Sequence, residues 1–286
     1  MSNRSVLIRP RRSALYLPAS NARALEKART LSCDVVILDL EDAVAPDAKL
    51  VAREQAAAAV GAGGFGAREV VVRVNSRDTE WGAPDLRAIA AIAPDAILLP
   101  KINSASDISA YEALLGAGCN VALWAMIETA KSIVCLNEIA AAVATTRLAC
   151  LVLGTNDLAK ELGAHPDVQR APFLGLLGLS VVAARAHGLA VLDGVYNELD
   201  DIPGFEAQCR QGRDFGFDGK TLIHPRQIEP CNAVFTPDGA AIAWAQRIVS
   251  AFQDPANAGK GALRIDGSMV ERLHLEQAQR TLASRR

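Results

Sequence analysis

The sequence predicts an α/β chain folded as a (β/α)8 TIM barrel with a C-terminal extension. Three observations carry that expectation. Short runs rich in Val, Ile and Leu alternate with helix-like stretches along most of the 286 residues. The apolar runs are nearly continuous in hydrophobicity, as in parallel strands covered on both faces. Polar and charged residues follow the runs at their C-terminal ends, where a parallel barrel builds its active site. A doubly wound open sheet shares the alternation and stays open as an alternative, since alternation does not prove closure.

The strands are read at Ala14–Leu17, Val35–Leu40, Val70–Val74, Ala96–Leu99, Val121–Ile127, Leu148–Leu153, Ala190–Val195 and Thr221–Ile223. Between them, helices are read near Asn21–Leu31, Asp47–Val60, Pro84–Ala93, Ser106–Leu115, Lys131–Val143, Phe173–His187 and Gly204–Phe215, with a further helix near Pro237–Phe252. Asn21 and Asp107 sit where a short polar side chain can cap free helix N–H groups. Gly61, Gly63 and Gly66 match G-x-G-x-x-G literally. They follow an Ala-rich helix and lead into a strand, however, so no helix N-terminus faces a pyrophosphate and the dinucleotide reading is rejected. Residues 1–253 are therefore expected to form the catalytic barrel. Residues 254–286 form a linker and a C-terminal lid or oligomerisation segment, with a helix to about Leu282.

Composition narrows the function. Half the residues are hydrophobic and the formal charge is −2, so neither a nucleic acid nor an anionic membrane is an expected partner. No apolar stretch reaches the roughly 18–20 residues that span a bilayer. Met1–Arg12 is basic but lacks the apolar core of a secretion signal. The six cysteines are scattered without a Cys-x-x-Cys pair and read as reduced, which makes the cytoplasm the expected compartment.

Glu128 and Asp157 follow consecutive strands, the fifth and sixth, so their carboxylates can approach one another. Two carboxylates, with water and substrate filling the other positions, is a common way to hold Mg2+. Each could instead cap the helix that follows. Asp39 and Glu41 share a side of the second strand if it stays extended, and could bind metal-bound water or position a substrate; Asp42 could also be a surface turn. Arg73, inside an apolar run, needs a partner: a core carboxylate, or a substrate carboxylate met by its planar fork. Lys101 ends the fourth strand, where a lysine can form a Schiff base. Lys220 starts the eighth strand, at the opposite end of the barrel. His224 could be a base or a loop hydrogen-bonder. Asp266 precedes Gly267 in a turn signal and could simply cap the helix that follows.

Taken together, these stretches resemble the citrate lyase β-subunit-like CoA ester lyases of the HpcH/HpaI aldolase superfamily. The matching segments are Arg12-Ser-Ala-Leu-Tyr-Leu-Pro18, Val36-Ile-Leu-Asp-Leu-Glu-Asp-Ala-Val44, Val72-Arg-Val-Asn75, Leu99-Pro-Lys101 and Met126-Ile-Glu-Thr129. They continue in order with Gly154-Thr-Asn-Asp-Leu-Ala159, Asp193-Gly-Val-Tyr196, Gly216-Phe-Asp-Gly-Lys220, Ile223-His-Pro225 and Asp266-Gly-Ser-Met269. The resemblance implies Glu128 and Asp157 as Mg2+ ligands, Arg73 at the substrate, and Glu41 and Asp42 supporting metal and substrate. It implies Arg12 and Lys27 at the phosphates of CoA. It makes the tail a lid that carries Asp266 as acid/base to a neighbouring subunit, and so implies a homotrimer. Ala19, Asn156, Ser268 and Leu273 depart from the family pattern.

The activity so implied is reversible, Mg2+-dependent cleavage of a 3-hydroxyacyl-CoA of the malyl or citramalyl type to an acyl-CoA and a 2-oxo acid. The alternatives are a citrate lyase β subunit acting on an acyl-carrier-protein thioester, a thioesterase or malate-synthase-like outcome, and a non-catalytic CoA or oxo-acid binding protein.

Overall fold

The structure, a computed structural model, describes residues 9–116 and 118–283; the basic stretch read at the N-terminus lies, as far as residue 8, outside them. In chain order the elements are β1 (Ser13–Pro18), α1 (Ala22–Ala28), β2 (Val35–Asp39), α2 (Lys49–Ala62), β3 (Glu69–Arg73), α3 (Gly82–Ile92), β4 (Ala96–Leu99), α4 (Ala105–Leu115), β5 (Ala122–Ile127), α5 (Ala130–Val134) and α6 (Leu136–Ala141). Then come β6 (Leu148–Leu153), α7 (Thr155–Leu162), α8 (Leu174–Ala186), β7 (Ala190–Asp193), α9 (Ile202–Phe215), β8 (Gly219–Leu222) and α10 (Ile228–Phe235). The chain ends with α11 (Gly239–Gln253), the strands β9 (Ala262–Ile265) and β10 (Ser268–Glu271), and α12 (Arg272–Ala283).

Strands β1 to β8 close in sequence order into a barrel, β8 pairing back onto β1 through Ser13↔Lys220, Ala14↔Thr221 and Leu15↔Leu222. Every barrel pairing is parallel, so all strand ends of one sense reach one mouth. The closed barrel excludes the open-sheet alternative. Strand periodicity decides what fills it. Ala14, Val35, Ile37, Val71, Ala96, Leu98, Trp124, Met126, Cys150, Val152 and Leu192 pack on one another inside the ring, and each is buried. Side chains of the opposite parity, such as Val36, Leu38, Val72 and Ile97, are equally buried. Both faces of each strand being covered is why the runs look uniformly apolar.

At the strand starts Arg11 closes the barrel floor. Its guanidinium lies 4.9 Å over the Trp124 ring and pairs with Glu69 at 2.6 and 2.8 Å. Beside the barrel, Asp193 at the end of β7 faces away from the mouth and is fully buried. It accepts from Arg170 at 2.7 Å and from Lys220 at 2.9 Å. Two cations hold its carboxyl below the ordinary carboxylate range despite burial. Asp193 ends a barrel strand but does not join the acidic side chains at the mouth, because its parity points it outward.

The chain divides into two compact units, Arg11–Ala233 and the segment from Val234 onward. This division falls before α11, earlier than the 253/254 boundary expected from sequence. The reason is visible inside the second unit: Ala245 and Ile248 of α11 pack on Val270 and Ala278, so α11 shares its core with the tail. Asp266 and Gly267 join β9 to β10 with φ of 50° and 85°. Two successive positive φ values are what a two-residue hairpin turn needs, and Asp-Gly supplies them at low cost. The turn therefore makes a hairpin, where the sequence suggested a helix cap. Among the described residues no helix is long and apolar enough to cross a membrane.

Candidate active site

The mouth at the C-terminal ends of β2 to β6 collects most of the expected residues, and register explains how. Asp39 ends β2 and Arg73 ends β3 as direct register partners, both on the inward parity. Their side chains meet as a fork, Arg73 Nε and Nη2 donating to the two Asp39 oxygens at 2.7 and 2.6 Å. Asp39 also accepts from the backbone N–H of Glu41 at 2.9 Å and of Ala43 at 3.0 Å. One buried carboxylate thereby orients both the arginine and the loop that carries Glu41 and Asp42.

The sequence left Arg73 between a core partner and a substrate contact. Two of its three nitrogens are taken by the core partner. The third, Nη1, lies 2.9 Å from Glu41 Oε2, 3.1 Å from Asp42 Oδ2 and 3.7 Å from Met126 Sδ. The Tyr16 ring packs against the guanidinium at 4.9 Å. Glu41 is 9% exposed, and its Oε2 has no aligned hydrogen bond even though the arginine is near. Burial pushes its carboxyl up to about 8, Arg73 pulling the other way while Glu128, Asp42 and Asp39 add to the rise. Lys49, itself buried, holds the loop from below by donating to the carbonyls of Leu40 and Glu41 at 2.8 and 2.7 Å and to Asn75 at 2.7 Å.

Glu128 follows β5 and is 1% exposed. It does not cap the next helix. Thr129 does, its hydroxyl accepting from Ser132 N–H in a reciprocal capping box. Glu128 turns inward across Gly154, where an added Cβ would lie 2.4 Å from the Glu128 Cβ and 2.7 Å from Oε2. Only a residue without a side chain leaves that space. Asp157 stands in the first turn of α7, a short helix that begins directly after β6. Burial raises the carboxyl of Glu128, against the pull of Lys101 and Arg73.

Between these carboxylates lies Lys101. Its ammonium is 3.6 Å from Glu128 Oε1 and in close contact with Asp157 Oδ2. Its backbone N–H donates to Glu128 Oε1 at 2.7 Å. Burial alone would lower its pKa, but the Glu128 and Asp157 carboxylates outweigh it and the ammonium is held above its ordinary value. A Schiff-base nucleophile needs the neutral amine, so this lysine is placed as a cation and not as a nucleophile. Lys220 is fully buried against Asp193, away from the mouth, and His224 accepts from the Arg226 N–H as the cap of the turn after β8.

Three expected residues lie outside that cluster. Arg12 precedes β1, so it belongs to the strand-start end of the barrel, opposite the mouth. Its guanidinium pairs with Asp34 at 2.8 Å. Its place and its pairing with Asp34 both correct the assignment of Arg12 to the CoA phosphates. Lys27 sits exposed in the last turn of α1. In the second unit, Asp266 stands exposed at the tip of the β9–β10 hairpin, 3.1 Å from Arg247. Sequence reasoning named Asp39 beside Glu41 but did not identify it as the partner that locks Arg73, and it overlooked Lys49 and Gly154. Parity marked Asp39, but nothing local marked the other two.

Among the described residues no three His, Cys, Asp or Glu side chains gather as a metal site. The donor set is the pair Glu128 and Asp157, and that pair fits a hard divalent ion that keeps most of its water. The Lys101 ammonium lies within ion-pair distance of both, so the two carboxylates face the same part of the mouth. Charge points the same way: among the described residues, Asp39, Glu41, Asp42, Glu128 and Asp157 have Arg73 and Lys101 as their ion-pair partners at the mouth, five acids against two cations.

Residues 12–225 match the HpcH/HpaI aldolase/citrate lyase family. The chain belongs to that family. It is 50% identical over 274 residues to a (3S)-malyl-CoA thioesterase of Cereibacter sphaeroides, covering 96% of this chain and 94% of the relative. An L-malyl-CoA/beta-methylmalyl-CoA lyase of the same species is 33% identical, with 95% and 93% covered. Among solved structures, CitE from Mycobacterium tuberculosis in complex with magnesium, acetoacetate and coenzyme A matches with a TM-score of 0.74 and 30% identity over 96% of this chain and 97% of that one. The chain has a closed eight-stranded barrel, and its candidate metal pair follows the adjacent strands β5 and β6, Glu128 directly and Asp157 in the first turn of α7.

Proposed function

We propose that the chain is a Mg2+-dependent enzyme of malyl-type CoA thioesters, and that thioester hydrolysis is its outcome. The observation that carries the metal-dependent reading is the convergence of Glu128 and Asp157 on a single cation. The hydrolytic outcome is supported by half-identity, across nearly the whole chain, to relatives named as malyl-CoA thioesterases.

When bound, Mg2+ would supply Lewis acidity and a template for the hydroxyl and terminal carboxylate of the substrate. The side chains of the mouth do the rest. Arg73, locked by Asp39, presents Nη1 as a preorganised donor to a substrate oxygen on which charge develops. The ionised form of Glu41, a minority at neutral pH because burial holds the carboxyl near 8, takes the proton of the attacking water as the C–O bond forms and the C–S bond breaks. It then returns a proton to the departing thiolate. Asp42 flanks Nη1 and limits how the guanidinium can turn. Lys27, exposed on α1, is the remaining candidate for a CoA phosphate.

The second reading keeps the same metal pair and Arg73 but breaks the carbon–carbon bond, releasing an acyl-CoA and a 2-oxo acid. It is favoured by the lyase relatives. It needs an acid/base at the enolate carbon, and Asp266, presented at an exposed hairpin tip, is the proposed group, brought by a neighbouring subunit of a homotrimer. Incubation with (3S)-malyl-CoA and Mg2+ separates the two readings. Hydrolysis releases free thiol with no oxo acid, and cleavage releases oxo acid with no thiol. Glu128→Gln, or excess chelator, is expected to abolish either reaction while the barrel stays folded. Full turnover in chelator would overturn the metal reading, and light scattering that gives a monomer would remove the subunit role of Asp266.

A further inference from the structure

We propose that Lys101 is a resident counter-ion of the metal pair, so that loading the metal is an exchange in which the ammonium leaves and the divalent ion enters. The inference rests on the Mg2+ reading and goes beyond it. Lys101 adopts φ of +53°, one of four non-glycine residues with positive φ among those described. A lysine gains nothing locally from that conformation, which costs about 1–2 kcal/mol. Here it does two things at once. It points the backbone N–H at Glu128 Oε1, 2.7 Å away, and sends the side chain across the mouth to Asp157. The backbone contact stays whatever the side chain does. The side chain is 35% exposed on a flexible stem, so it can withdraw to solvent while Glu128 remains held.

The need for such a group follows from the charges. Glu128 is sealed from water, and without the ammonium it would face Asp157 and Glu41 with Arg73, already locked to Asp39, as the cation left to it. A buried charge left unpaired is costly. An ammonium on the same chain removes that cost in the metal-free protein and gives way to a divalent ion, whose charge is double and whose coordination demands match two carboxylates plus water. The consequence is a metal affinity weaker than the bare carboxylate pair would give, set by the lysine as an intramolecular competitor.

The test measures metal binding directly. Metal-stripped wild type, Lys101→Met, Lys101→Gln and Lys101→Arg are titrated with Mn2+, followed by the EPR signal of free Mn2+, and with Mg2+ by calorimetry; each is also melted with and without metal. Removing the competitor is expected to tighten Mn2+ binding by about tenfold or more in the Met and Gln variants, which corresponds to about 1.4 kcal/mol. These variants should melt lower than wild type without metal and recover with it. Lys101→Arg keeps a cation and is expected to stay within about threefold of wild type. Unchanged or weaker Mn2+ binding in both neutral variants would overturn the exchange. If wild type and all variants bind neither ion, the Mg2+ reading itself fails, and that outcome is distinct from the first.

Discussion

Replacing Asp39 by Ala tests how the mouth is held together. The carboxylate is fully buried and accepts four hydrogen bonds, two from Arg73 at 2.7 and 2.6 Å and two from the backbone of Glu41 and Ala43 at 2.9 and 3.0 Å. Its removal leaves a buried guanidinium with Glu41 and Asp42 as its remaining anions, the first mostly protonated at neutral pH and the second largely exposed. Breaking a buried pair by deleting one partner costs roughly 3–5 kcal/mol. At roughly 2–4 °C per kcal/mol in a chain of this size, the melting temperature should fall on the order of 10 °C. Because Glu41 becomes the main anion left to Arg73, its carboxyl should also ionise at lower pH in the variant. Urea titration read by far-UV circular dichroism, with calorimetric melts, measures the loss. A variant within about 1 kcal/mol of wild type would refute the claim that this carboxylate anchors the arginine and the loop.

Further outcomes follow from the same geometry. Gly154→Ala places a Cβ 2.4 Å from that of Glu128, so Glu128 must move; the expected cost is about 1–3 kcal/mol together with weakened Mn2+ binding, read by urea melts and EPR titration. Glu41 gives a pH signature. Its folded pKa of about 8 stands above the ordinary 4.5, so the folded state binds the extra proton between those values. Its stabilising contribution is complete below about pH 4.5 and declines as pH rises through 8, by up to about 1.4 kcal/mol per unit. Glu41→Gln, which stays neutral, should flatten that slope in metal-free protein, as seen by comparing urea melts at pH 5 and pH 8; an unchanged slope would count against Glu41 as the buried proton carrier.

What could be read from the chain alone follows from local rules. Uniformly apolar runs separated by helices announce parallel strands, and strand ends announce a functional mouth, so the barrel and the approach of Glu128 to Asp157 are legible without coordinates. Arg12 was misplaced although its position before the first strand already put it at the wrong end. The Asp-Gly turn was recognised, but joining two strands was not, because each is only four residues long and weakly patterned. Tertiary structure alone decided the rest. Which carboxylate takes the fork of Arg73 depends on the register of β2 with β3. Asp193 turns to Lys220 and not to the mouth because of parity on β7 and the reach of Arg170 from a distant loop. Lys101 becomes the cation between two acids only because its backbone turns left-handed there and the fifth and sixth strands bring Glu128 and Asp157 alongside. Sequence carries periodicity and chemistry, but the sharing of a charge among residues far apart is settled by where the closed ring puts them.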